Sequence, residues 1–268
     1  MYKTLISIII IYAMFSCEKE LLQQSQPSEL AVVEAYLYEG EIIDDIYITS
    51  LLPYGGEDTI FQKISNADIK ILHNGNSYQL TPSDSSGYYH YSGIDLEISI
   101  GEKYEIEIEY FNKIITAETN VPVPPSGLSI SDSIISIDPN NIKAYWENMT
   151  PIDINWDECG SDYSYVLIEN VEDGPIDIYS GGKASKGFKR ITLPVQRNSY
   201  TFMPLEIIQQ YGTHLIRVFR INQEYADLYE SMEQDSRDLN EPLTNITNGL
   251  GIFTAFSCDS LYFEVTQK

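Results

Sequence analysis

The sequence predicts a mainly β protein built as two antiparallel β-sandwiches in tandem. Three observations predict it. Strand formers dominate, with 21 tyrosines in 268 residues alongside many isoleucines. Apolar and polar residues alternate with period two, most cleanly in Tyr104-Glu-Ile-Glu-Ile-Glu-Tyr110, the pattern of a half-buried strand. Turn-forming clusters interrupt these runs at intervals of about ten residues, as sandwiches require.

The chain opens with one positive side chain, Lys3, and an apolar run from Leu5 to Phe15. As a helix that run is about 16 Å long against a hydrocarbon core of about 30 Å. It is too short to span a bilayer and fits the apolar stretch of a secretory signal peptide, residues 1–16. A small residue before cysteine, Ser16-Cys17, is similar to the lipobox of bacterial lipoproteins. Cys17 then carries acyl chains as the first mature residue, and more than one chain anchors stably. A short membrane anchor or a plain secreted protein is the alternative. Glu18-Lys19-Glu20 resembles the surface-export signal of Bacteroidota lipoproteins, with Lys19 interrupting the acids; an ordinary hydrophilic tether is the other reading. The polar stretch through residue 29 lacks apolar surface to bury and reads as a flexible tether, 17–29.

Residues 30–122 read as the first sandwich. Leu30–Leu37 and Ile43–Leu51 open it. Ala67–Leu72 and Ser77–Leu80 flank Asn74-Gly75, a hairpin signal because both central residues need positive φ. Gly87–Tyr91 and Tyr104–Tyr110 follow. Glu105, Glu107 and Glu109 share the second face of the latter, which reads as solvated. Pro122-Val-Pro-Pro-Ser-Gly127 ends the domain, giving a proline-rich linker at 123–127.

Residues 128–268 read as the second sandwich, of fibronectin-III type. Its strands are Leu128–Ile137, Ile152–Trp156, Tyr163–Glu169, Ser199–Met203, His214–Ile221, Gly249–Phe256 and Leu261–Val265. Trp156 and Tyr165 are its expected core aromatics, and Pro204–Gln210 a short helical turn. One helix is predicted near 223–235. Tyr225, Leu228, Tyr229 and Met232 fall on one of its faces, Asn222 is its candidate cap, and it packs on the sandwich.

Composition excludes some partners. With 16 basic and 40 acidic residues the formal charge is −24, a field that repels nucleic acid and anionic headgroups. Cys159 and Cys258 are left in an oxidising compartment, as a disulfide or as two buried thiols. The histidines, His73, His90 and His214, lack metal-ligand spacing, and no nucleophile elbow or phosphate loop is present. No catalytic residue, metal or cofactor is therefore assigned. Asp153, Asp157, Glu158 and Asp162 cluster at a turn without EF-hand spacing, and a solvated loop is the plainer reading. Tyr88, Tyr89 and Tyr91 offer either an aromatic platform or packing within the sheet. Asp58-Thr59-Ile60, Asp132-Ser133-Ile134 and Asp259-Ser260-Leu261 resemble the Bacteroidota O-glycosylation sequon, making Thr59, Ser133 and Ser260 candidate acceptors.

Cys17-Glu-Lys-Glu, the Val32-Val33-Glu34 opening strand, the Tyr225–Met232 helix and above all Asn245-Ile-Thr-Asn-Gly-Leu-Gly-Ile-Phe-Thr-Ala-Phe256 resemble a Bacteroidota lipoprotein family known as domain of unknown function 4249. The resemblance covers essentially the whole mature chain. It implies an outer-membrane lipoprotein, often encoded beside a TonB-dependent transporter, and carries over no catalytic residue; the export-signal match of Glu18-Lys19-Glu20 points it to the cell exterior. Cys258 departs from the polar residue more usual there. The expected function is a non-enzymatic accessory or binding protein, membrane-bound through its lipid and partnered with such a transporter. A lipid-anchored hydrolase and an adhesive or structural surface protein are the alternatives.

Overall fold

The computed structural model describes residues 30–51, 62–84, 86–157, 163–179, 186–232 and 244–268. The expected signal peptide and tether, Cys17, Thr59 and Cys159 lie outside them.

The first half contributes β1 (Ala31–Tyr38), β2 (Ile46–Ser50), β3 (Asp68–His73), β4 (Asn76–Gln79), β5 (Thr81–Ser83), β6 (Tyr88–His90), β7 (Lys103–Tyr110) and β8 (Lys113–Asn120). The second contributes β9 (Ser129–Ile130), β10 (Ile134–Ile137), helix α1 (Ile142–Asn148), β11 (Ile152–Asn155), β12 (Tyr163–Asn170), β13 (Lys189–Ile191), β14 (Val195–Gln196) and β15 (Ser199–Phe202). Helix α2 (Pro204–Ile207), β16 (Gly212–Ile221), helix α3 (Gln223–Met232) and β17 (Leu250–Gln267) complete the chain.

Mostly antiparallel sheets make up the β-sandwich fold. One long sheet runs β13-β12-β16-β17-β1-β2-β6-β5, with β10 beside β17 and β14 beside β12. A four-stranded sheet, β4-β3-β7-β8, and a three-stranded sheet, β15-β11-β9, complete the set. Two sandwich cores result, with a third, smaller cluster (Leu167, Phe219, Ile221, Ala226 and Phe256) on the other face of the long sheet. One joins β1, β2, β3, β7 and β8, with Val33, Ile48, Ile71 and Ile106 at its centre. The other joins β10, β11, β12, β16 and the end of β17, with Trp156, Val166, Ile216 and Phe263.

Alternation along β7 is realised in full. Tyr104, Ile106, Ile108 and Tyr110 are buried, while the glutamates face outward, where Lys70 meets Glu107 at 3.4 Å and Lys103 meets Glu105 at 3.1 Å. The β3–β4 hairpin turns on Asn74 and Gly75, both with positive φ.

The last strand departs from the expected division. Placed wholly in the second sandwich by the linker at 123–127, it serves both halves. Val32–Tyr38 pair in parallel with Leu250–Phe256, and Phe253 and Ala255 enter the first core. Further along, Ile134–Ile137 pair in parallel with Glu264–Gln267. On its other edge β16 pairs with it from Phe256 to Val265. The two expected strands Gly249–Phe256 and Leu261–Val265 are thus one strand of 18 residues. Tyr165 also departs from expectation. Trp156 is buried in the second core, but Tyr165 lies on the opposite face of β12, stacked on Phe219. Val166 and Ile168 take the core side instead.

Helix α3 covers the outer face of the long sheet. Tyr225 meets Phe256 edge-on at 4.9 Å. The Asn222 side chain donates to Thr119 and to the Asn120 carbonyl of β8. Glu224 accepts from both Thr119 and Thr254, tying the helix to β8 and β17. Among the described residues no helix is long and apolar enough to cross a membrane.

Candidate functional site

Beside α3 the outer face of the long sheet forms a groove of about 430 Å³. Its floor follows from strand register. Tyr165 on β12, Phe219 on β16 and Cys258 on β17 are successive cross-strand neighbours. Leu167 and Arg217 form the next row on the same face, and Phe256 lies beside Tyr38 of β1. The rings are ordered by stacking: Tyr165 on Phe219 at 4.7 Å and Tyr38 on Phe256 at 5.1 Å. Offset stacking fixes ring planes beyond what apolar burial supplies. The rim is charged with both signs, Glu39 and Glu41 at the β1 side and Lys189 and Arg217 toward β13. Arg217 is already paired with Glu169 at 3.1 Å.

Electrostatics make the groove neutral inside. Burial pushes the phenols of Tyr38, Tyr165 and Tyr225 well above the usual tyrosine range, and Tyr36 beside them up to about 12. Their hydroxyls stay protonated at physiological pH, with Tyr38 hydrogen-bonded to Asp45 and Tyr225 to Tyr229. Burial likewise raises the Cys258 thiol, against a smaller opposing effect of Arg217. An activated nucleophile needs the opposite shift. The groove can therefore hold a ligand by ring contact and rim charge.

The other expected residues fall elsewhere. Cys258 is a free, half-buried thiol in the groove; Cys159 lies outside the described residues. Ser133 and Ser260 are exposed. Asp153 accepts from the Thr201 hydroxyl and Asp157 from Ser126, while Glu158 and Asp162 lie outside the described residues. Tyr89 is fully buried and accepts from the Ala67 amide, Tyr91 donates to Asp95, and the more exposed Tyr88 packs on Tyr47 at 4.6 Å. His73 stacks on Tyr104, His90 bonds Ser83, and His214 is buried against Phe263. Among the described residues no three His, Cys, Asp or Glu side chains gather as a metal-binding group.

The groove itself carries no local sequence signature. Its rings come from β1, β12, β16, α3 and β17, and Tyr165 had been expected in the core. The most family-specific segment, Asn245–Phe256, has instead a structural task. The Asn245 amide donates to the Phe253 carbonyl at 2.6 Å and accepts from its amide at 3.0 Å, copying a strand partner. Thr244 donates to the Gly251 carbonyl. Thr247 bridges to Thr116, and Asn248, at φ +63°, donates to the Ile114 carbonyl. Gly251 has φ +103°, and a Cβ there would lie 2.0 Å from the Val33 carbonyl oxygen. The segment clasps β17 to β8 and β1.

Comparison with known proteins gives one family. The model described as "Domain of unknown function (DUF4249)" matches residues 19–261. No curated protein matches the chain. Among solved structures, the chain is similar to the chicken CNTN1 FN1–FN3 domains (12% identity, TM-score 0.30, 73% of this chain and 60% of that one). It is also similar to the BSP domain of a biofilm-associated protein (12%, TM-score 0.26, 89% and 30%). The chain thus spans less than two thirds of either.

Proposed function

The chain belongs to the DUF4249 family, and from that premise we propose that it is a lipid-anchored, surface-exposed outer-membrane protein that binds a ligand without transforming it, as accessory to a TonB-dependent transporter. The observation that carries the binding role is the groove of stacked Tyr and Phe rings with neutral phenols and a rim of both charges. Such a surface grips a ligand through apolar contact and orients it through ion pairs. The raised thiol of Cys258 speaks for binding over nucleophilic chemistry. Anchoring rests on Ser16-Cys17 and the short apolar leader.

The test is a pull-down of the native lipoprotein from detergent-solubilised outer membranes, with partners identified by mass spectrometry and Cys17→Ala run alongside. Stoichiometric recovery of a TonB-dependent transporter, lost in the variant, is the expected result. Absence of any transporter from the lipidated sample would refute the accessory role.

A further inference from the structure

The long sheet has a gap beside the groove. Along one edge, β17 pairs with β1 as far as Phe256 and with β10 from Glu264 onward. Among the described residues no strand pairs with the stretch between them on that edge, although β16 pairs the whole stretch on the other. The lateral direction of each residue is fixed by its flanks. The Phe256 carbonyl accepts from the Glu39 amide, and the Glu264 amide donates to the Ser133 carbonyl. A strand residue sends its N–H and C=O to the same side and alternates with its neighbours. Cys258, Ser260 and Tyr262 therefore aim their backbone groups into the gap; the Ser260 amide donates to Asp259 Oδ1 at 2.8 Å, a bond that an incoming peptide carbonyl must replace. Ser260 and Tyr262 are exposed, Tyr262 by 62%.

The geometry points to a binding site for a short free peptide that adds as a strand to β17 between β1 and β10. This rests on the groove's being the ligand site proposed above. Phe256 to Glu264 spans about 26 Å at strand rise, room for roughly five extended residues once the ends are cleared. Main-chain pairing supplies attachment independent of sequence, and alternate side-chain pockets supply selectivity. A peptide residue beside Cys258 extends the row Tyr165–Phe219–Cys258, so its side chain enters the aromatic groove. That position favours an apolar or aromatic residue.

Charge sets the direction. Glu39 and Glu41 stand where β1 ends, at the Cys258 end of the gap, and both act electrostatically on that thiol. A free ammonium group is complementary to them. A peptide with its amine there runs in the same direction as β17, as β1 and β10 both do. A gap bounded at both ends suits a short free peptide better than a segment that must enter and leave as part of a longer chain.

The test uses the full mature chain in detergent and Ala-Ala-Phe-Ala-Ala with free termini as probe, followed by calorimetry and amide hydrogen exchange. The expected result is saturable binding, about tenfold weaker after N-acetylation of the peptide and about tenfold weaker in Glu39→Gln/Glu41→Gln. The Cys258, Ser260 and Tyr262 amides exchange more slowly with peptide bound, while the Ser257 and Asp259 amides, which face β16, do not change. Ser260→Pro, which removes the central donor, abolishes binding; the glutamate variants carry the test if that variant does not fold. No binding up to about 1 mM, equal binding of the acetylated probe, or unchanged exchange at those three amides would overturn the proposal. Recovery of a transporter in the pull-down with no peptide binding sinks this site and leaves the accessory role standing; the reverse pattern does the opposite.

Discussion

Replacing Gly251 by alanine tests the clasp that joins the two halves. The residue sits in β17 opposite Val33, at φ +103°. Two costs add. An L-residue held at such a φ is strained by about 1–3 kcal/mol. The new methyl would stand 2.0 Å from the Val33 carbonyl oxygen, with the Val33 backbone carbon and nitrogen at 2.8 Å. These are backbone atoms inside a paired strand, so relief means prying β1 from β17, an overpacking cost of about 1–3 kcal/mol. The expected loss is about 4 kcal/mol, a large share of the roughly 5–15 kcal/mol that holds a domain folded. Gly101→Ala is the matched control, because its φ is +78° and nothing lies within 4 Å of its Cβ position. Urea unfolding should place Gly251→Ala well below Gly101→Ala, and the gap between them measures the clash alone. Equal destabilisation of the two would refute the close approach of β1 and β17.

Three further outcomes follow from other sites. Asn245→Ala removes both bonds to Phe253 and leaves a buried strand amide and carbonyl without that partner, costing about 2 kcal/mol by the same unfolding assay. Phe111→Asn should stabilise by about 1 kcal/mol, since Phe111 and Asn112 form a turn with φ of +48° and +57°, and Phe111 is 49% exposed. His214 is buried with its Nδ1 bonded to the Gly212 carbonyl oxygen, and burial holds its pKa below the usual histidine value. The unfolded chain then binds the proton first. Stability from this group is whole above about pH 6.5 and is lost as pH falls toward the folded value, at up to about 1.4 kcal/mol per pH unit. Unfolding curves at pH 7 and pH 5 should show a larger loss for the parent than for His214→Gln; parallel losses would contradict it.

What the sequence disclosed depended on whether a residue's environment is set locally. In β7 one face is buried and one solvated, so period two is written in the residues themselves. In β12 both faces are covered, by the second core and by the aromatic cluster under α3, and the pattern no longer says which side Tyr165 takes. Strand β8 escaped notice because its turn uses Phe111-Asn112 where Asn-Gly would have been the signal. Helix α1 escaped because it is seven residues long, has no buried residue and no side-chain cap. The groove was illegible for a deeper reason. It exists only where β1 and β17 meet, a parallel pairing between the two ends of the described chain that leaves no local trace.

That pairing also orders events during synthesis. The first sandwich draws Phe253 and Ala255 from a strand made more than two hundred residues after β1. A ribosome delivers the N-terminal half long before that strand exists, so the half waits unfinished, with one edge of β1 unpaired. Contacts of such sequence separation also close slowly. Delayed closure keeps the first half open until β17 arrives. The same strand that fastens the finished molecule acts, by following β1–β16, as the timer for its folding.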